Sequence, residues 1–253
     1  MLAAMEIQVD TIDARALAEN AAQLSKIAGW REARCHGRRI KRIQFFVPPD
    51  ADKQLFNPIT ALLGRYSNYP PYGVGVVASV LHDAGFAVDI VNLNDIILRE
   101  CRTNVSFDYD KVVRRHVAAA LDRFRPDLIG TTCMFSQTHA STVDLCTLLH
   151  QFNPDTPIVL GGVHITNSIA QKATCDVLVR QFGMGDAFFF YEAEIAFRDF
   201  CLVVNGDLPL SELSQVMIRC GEDWVHVKTL KRPAEQQLDV VPALDLMNVG
   251  GLS

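Results

Sequence analysis

The chain has 253 residues, 49% hydrophobic and 21% charged, with 24 Lys and Arg against 29 Asp and Glu. That is globular composition, long enough for one sizeable core, and the net charge of −5 argues against a nucleic-acid surface, which needs a basic face. No apolar run approaches a membrane span, and the start, MLAAMEIQVDTIDARALAEN, lacks the basic opening and continuous apolar segment of a signal peptide.

Residues 1–39 read as a helical extension, with an amphipathic stretch over 12–27, and the basic run REARCHGRRIKR at 31–42 reads as a solvated linker. From residue 40 strands and helices alternate. IKRIQFFVPP (40–49) predicts a first buried strand stopped by Pro48 and Pro49, and a long loop then runs to Pro70 and Pro71. YGVGVVASVLHDAGF (72–86) predicts a helix closed at Gly85, and AVDIVNLN (87–94) the second strand. Residues 108–127 carry helical spacing up to Pro126, LIGTTCMF (128–135) is the third strand, and 138–153 the next helix. PIVLGGV (157–163) is the fourth strand, with a short helix near 165–172, and CDVLVRQF (175–182) is read as the fifth. It turns at GMGD into a helix over 188–206, and residues 216–230 form a hairpin around Gly221, Glu222 and Asp223.

Strands rich in Val, Ile and Leu, separated by helices, define an α/β fold with both sheet faces covered. The expectation is a doubly wound, mainly parallel, five-stranded flavodoxin- or Rossmann-like sheet over 40–207. A β-hairpin appendage (208–231) and a linker (232–253) follow it. In such sheets ligands bind beyond the carboxyl ends of the strands. The loops expected there, CMFSQTH, GGVHITNS and GMGD, are rich in glycine and in small hydroxyl or amide side chains. These permit close backbone approach and offer hydrogen bonds.

Several chemistries lack their residues. No G-x-G-x-x-G follows the first strand, no phosphate-binding G-x-x-x-x-G-K-S/T is present, and no G-x-S-x-G nucleophile turn occurs. Of seven histidines only His139 and His164 fall at the expected ligand edge. Cys35, Cys101, Cys133, Cys146, Cys175, Cys201 and Cys220 are scattered and odd in number. That suits reduced thiols in a cytoplasmic protein, not a disulfide framework or an iron–sulfur cluster.

Three stretches, YPPYGVGVVASVLHDAGFAVDIVNLND, PDLIGTTCMFSQTHASTVDLCTLLHQFNPDTPIVLGGVHIT and VRQFGMGDAFFFYEAEIAF, share order and spacing with a known family. Over residues 40–204 the chain resembles the amino-terminal cobalamin-binding domain of B12-dependent radical SAM enzymes. The resemblance implies cobalamin with its nucleotide tail in the sheet edge and its corrin facing a radical SAM barrel. It places Gly161 and Gly162 beside the tail, with His164 and Thr166 lining the same loop. Thr131, Thr132, Ser136 and Gln137 are implied as hydrogen-bonding groups, Pro71, Tyr72 and Gly73 as neighbours of the ring, and Gly183, Gly185 and Asp186 as the far wall.

Two departures stand out. The first loop, PPDADKQLFNP, lacks the D-x-H-x-x-G of other cobalamin domains, so cobalt without a protein histidine is expected and no residue is assigned as a metal ligand. Met184 stands where the family more often has an acid. The family's C-x-x-x-C-x-x-C is not in these residues, so the S-adenosylmethionine and [4Fe–4S] cluster of a complete enzyme belong to a radical SAM domain in cis or in trans. The chain therefore reads as part of an enzyme acting on a small molecule by methyl transfer or related radical C–C chemistry, without nucleic-acid or membrane partners. A flavodoxin-like interaction module without cobalamin is the alternative, and half of a nucleotide-sugar glycosyltransferase ranks last for want of an acidic metal-binding pair.

Overall fold

The structure, a computed structural model, describes residues 14–104, 106–231 and 240–247. In chain order the elements are α1 (Ala14–Cys35), β1 (Arg42–Val47), α2 (Pro58–Leu62), α3 (Tyr72–Asp83), β2 (Ala87–Asn92), α4 (Leu93–Thr103) and α5 (Tyr109–Phe124). They continue with β3 (Leu128–Thr132), α6 (His139–Phe152), β4 (Ile158–Gly161), α7 (Val163–Ile169), α8 (Lys172–Gln181), β5 (Ala187–Phe189), α9 (Glu194–Asn205), β6 (Val216–Cys220) and β7 (Asp223–Val227).

The seven strands of the described residues form one sheet in the order β2-β1-β3-β4-β5-β6-β7. The first five are parallel, while β6 and β7 join antiparallel. The core is doubly wound as expected, and the hairpin proves to be a continuation of the sheet. Strand residues alternate between two apolar layers, as a period of two requires. Ile43, Leu128, Val159 and Phe189 meet Leu81 of α3 and Phe197 and Phe200 of α9 on one face. Phe46, Ile129, Leu160 and Phe188 meet Val117, Leu149 and Leu178 on the other. The helix α1 lies over β6 and β7, with Ile27 and Trp30 in the first layer. The basic run thus ends a helix that packs into the domain.

The largest correction concerns the fifth strand. Residues 175–182 lie in and just beyond α8. Cys175 with Val179, and Leu178 with Phe182, sit four residues apart and face the core, a helical spacing that the Val-Leu-Val run disguises. The fifth strand is AFF at 187–189, expected to start a helix. Phe188 and Phe189 pack on opposite faces of the sheet, which only a strand allows. Two further helices, α2 and α4, lie where a loop and a strand end were expected.

Moving the strand also moves GMGD. Gly183, Gly185 and Asp186 precede β5, at the amino edge of the sheet and opposite the expected ligand side. There Asp186, 1% exposed, ties three elements together. Its carboxylate accepts from the Ile158 backbone N–H at 2.9 Å and from Arg34 Nε and Nη2 at 2.7 and 3.0 Å. Arg219 Nη2 lies 3.7 Å away. Gly185 is closely packed, since a Cβ there would lie 2.7 Å from Leu160 Cδ1 and 3.2 Å from Phe182 O.

A late segment crosses the first layer. Ala243 N–H donates to Gly75 O at 3.1 Å, and Met247, 4% exposed, covers Gly75. A Cβ at Gly75 would meet Met247 Sδ at 2.6 Å. Of the expected linker, residues 232–239 and 248–253 lie outside the described residues.

Asp186→Ala leaves Arg34 and the Ile158 N–H without their acceptor in a buried setting. We expect a loss of about 3 kcal/mol, read as a fall in urea midpoint without a change in m-value.

Candidate functional site

The carboxyl edge is built from the segments that leave β1, β3, β4 and β5, and hydrogen bonds stitch three of them together. Cys133 N–H donates to Gly161 O at 2.8 Å, and His164 N–H donates to Cys133 O at 3.1 Å. Tyr191 N–H, beyond β5, donates to Thr166 Oγ1 at 3.0 Å. Gly162 has φ +108° and ψ 165°, a region essentially reserved for glycine. A Cβ there would lie 2.5 Å from Cys133 O and 2.8 Å from Thr132 Oγ1. The space at Gly162 therefore serves the neighbouring backbone. Gly161 is different, because a Cβ would meet Phe189 only at 3.9 Å.

This stitching aligns a chain of side chains. Ser136 Oγ lies 3.2 Å from His164 Nδ1, and His164 Nε2 lies 2.9 Å from His139 Nδ1. Phe182 meets the His139 ring edge-on, with ring centres 4.9 Å apart. Burial, then the neighbouring His139, hold the His164 imidazole below its ordinary pKa. Beside them, the Cys133 thiol is fully buried within 3.6 Å of Thr138 Oγ1, and burial pushes its pKa up.

Ser136, His139 and His164 border a cleft of about 630 Å³ at the edge of the sheet. Ser136, Gln137, His139 and Ala140 form one side, and Asp52, Gln54 and Leu55 of the β1 loop another. His164 and Ser168 of α7, with Val177, Leu178 and Gln181 of α8, complete it. The lining is mainly apolar with a few convergent polar groups, and the volume falls in the range of ligand sites.

The expected site residues thus separate into groups. Ser136, Gln137 and His164 line the cleft. Gly161, Gly162 and Thr166 share its edge, but Thr166 is engaged by Tyr191 and Gly162 by Cys133. Thr131 is buried and donates to Phe46 O at 2.8 Å, so its hydroxyl serves the sheet. Thr132 is half-buried against Gly162. Pro71, Tyr72 and Gly73 begin α3 on the same edge outside the cleft, with Tyr72 58% exposed and open space around Gly73. Gly183, Gly185 and Asp186 are on the opposite edge.

Sequence reasoning missed the α8 wall, because those residues were assigned to a strand. It also missed Tyr191, which falls inside the helix expected over 188–206 but stands in the turn between β5 and α9. Tyr191 holds φ +59° while 60% exposed, a left-handed position that few non-glycine residues adopt. Its sequence carries no signal of that.

A family profile described as a B12 binding domain matches residues 60–189, just over half of the chain. The chain belongs to the B12-binding domain family, and its cofactor is cobalamin. No curated protein matches by sequence. Two solved structures share the fold, both of the radical S-adenosylmethionine methyltransferase TsrM from Kitasatospora setae. One holds tryptophan substrate and the SAM analogue aza-SAM (TM-score 0.54, 14% identity, 74% of this chain and 30% of that chain). The other holds cobalamin and a [4Fe-4S] cluster (TM-score 0.53, 16% identity, 75% and 31%). This chain spans about a third of the length of that methyltransferase.

Replacing the two glycines separately tests the stitching. We expect Gly162→Ala to cost at least about 2 kcal/mol from the forbidden backbone region and the clash with Cys133. Gly161→Ala changes stability by less than about 0.5 kcal/mol, and thermal unfolding of both variants reads the contrast.

Proposed function

We propose that this chain is the cobalamin-binding part of a B12-dependent radical SAM methyltransferase. The observation that carries the reading is the cleft at the carboxyl edge of a B12-binding fold, where this sheet topology favours ligands. The fold shared with a methyltransferase whose structure holds cobalamin and a [4Fe-4S] cluster supports the wider assignment.

The cleft fits the nucleotide tail. Its apolar surface comes from Ala140, Val177 and Leu178, while Ser136, Gln137, Gln181 and Ser168 offer hydrogen bonds to amide, hydroxyl and phosphate groups. The His139 Nε2 atom is buried without a partner, a polar group a ligand can use. Exposed Tyr72, Phe135, Val163 and Tyr191 give the same edge an apolar rim suited to the corrin. When bound, methylated cobalamin supplies the methyl group for transfer to a small-molecule substrate. The role of this chain is to bind the tail, fix its orientation and exclude water from it.

S-adenosylmethionine and the [4Fe–4S] cluster are assigned to a radical SAM domain acting in cis or in trans, with residues 232–253 as the connecting segment. No described helix is long and apolar enough to cross a membrane. The seven cysteines are free thiols, which supports a reducing, cytoplasmic setting.

Reconstitution with hydroxocobalamin tests the reading. The wild-type chain is expected to retain a corrinoid spectrum after gel filtration. Ala140→Trp, which fills the cleft from an exposed position, is expected to weaken binding at least about tenfold while changing stability by under about 1 kcal/mol. A colourless wild-type chain sinks the proposal.

A further inference from the structure

Three metal-binding side chains from two strand ends meet beneath the cleft. The ligating atoms of Cys133, His139 and His164 all lie within 4.8 Å of one another. Tetrahedral zinc, with Zn–S near 2.3 Å and Zn–N near 2.0–2.1 Å, needs ligand atoms about 3.3–3.7 Å apart. The three atoms therefore need to close by at most about 1.5 Å to share one ion. One thiol with two imidazoles is a donor set that suits zinc, and calcium and magnesium prefer oxygen.

The surroundings also suit a cation. His164 Nδ1 faces Ser136 Oγ at 3.2 Å, so an N–H there can donate to the hydroxyl and leave the Nε2 lone pair directed at His139. That is the outer hydrogen bond that orients metal-bound histidine. Thr138 Oγ1 stands 3.6 Å from the Cys133 sulfur. Both histidines border the cleft, which leaves a fourth position open to water.

We propose that Cys133, His139 and His164 form a binding site for a zinc-class divalent cation. Coordination breaks the Cys133 S–H bond, its proton leaves to solvent, and both imidazoles bind as neutral bases without any redox change. The site stands on these three side chains and does not depend on corrinoid binding.

The test uses the untagged 253-residue chain, freed of corrinoid and metal, titrated with cobalt(II) chloride and then zinc chloride. We expect one equivalent of cobalt(II) to give visible d–d bands and a near-ultraviolet thiolate-to-metal band, both displaced by zinc. Cys133→Ser, with unchanged far-ultraviolet circular dichroism, is expected to lose the thiolate band. His164→Gln, at a half-buried edge position, provides a second variant and is expected to weaken zinc binding at least about tenfold. Absence of the thiolate band in the wild-type chain, or its persistence in Cys133→Ser, overturns the proposal. Equal zinc affinity in His164→Gln overturns it as well.

Discussion

The close approach of Gly162 to the Cys133 carbonyl is the constraint on which the binding edge depends. It brings the ends of β3 and β4 together more tightly than any side chain permits. The backbone bonds from Cys133 to Gly161 and from His164 to Cys133 then fix both loops in one register. Because the glycine's space is filled by protein, the edge holds its shape without a ligand. A preorganised cleft lowers the ordering cost of binding. The Ser136–His164–His139 chain inherits its geometry from this junction.

The two edges of the sheet divide stability from binding. At the amino edge Asp186 joins α1 and β4 through charged hydrogen bonds in a buried setting, with Arg219 of β6 3.7 Å away. At the carboxyl edge, polar groups border open space and several apolar side chains stay exposed. Buried charge is tolerated where it is fully paired, and beside the cleft His139 Nε2 is a buried polar atom left without a partner. Glycines occur at both edges for different reasons, close packing against Leu160 at Gly185 and close backbone approach at Gly162.

Much of the fold was legible because buried parallel strands advertise themselves. Residues 40–49, 87–94, 128–135 and 157–163 are apolar runs bounded by turn residues, and each contains the strand it predicted. The fifth was misplaced because CDVLVRQF carries β-branched residues on a helical face, while the true strand is only three residues long. That single shift carried Gly183, Gly185 and Asp186 to the wrong edge and hid the α8 wall. Of the candidate site, the β3 and β4 loops were legible from their small polar residues. The meeting of His139 with His164, 25 residues apart, was not, since only the strand order β3-β4 joins them.

The segment lying over α3 has a further consequence. A glycine inside a helix costs about 1 kcal/mol relative to alanine, so Gly75 weakens α3 taken alone. Its value appears only when Met247 and Pro242 occupy the notch it leaves. Residue 75 and residues 242–247, distant in sequence, therefore behave as one cooperative unit. Because α3 begins at Pro71 and Tyr72, on the rim of the binding edge, that rim and the late segment share a common support. Both meet the first turn of this helix, so a disturbance of the late segment reaches the rim directly.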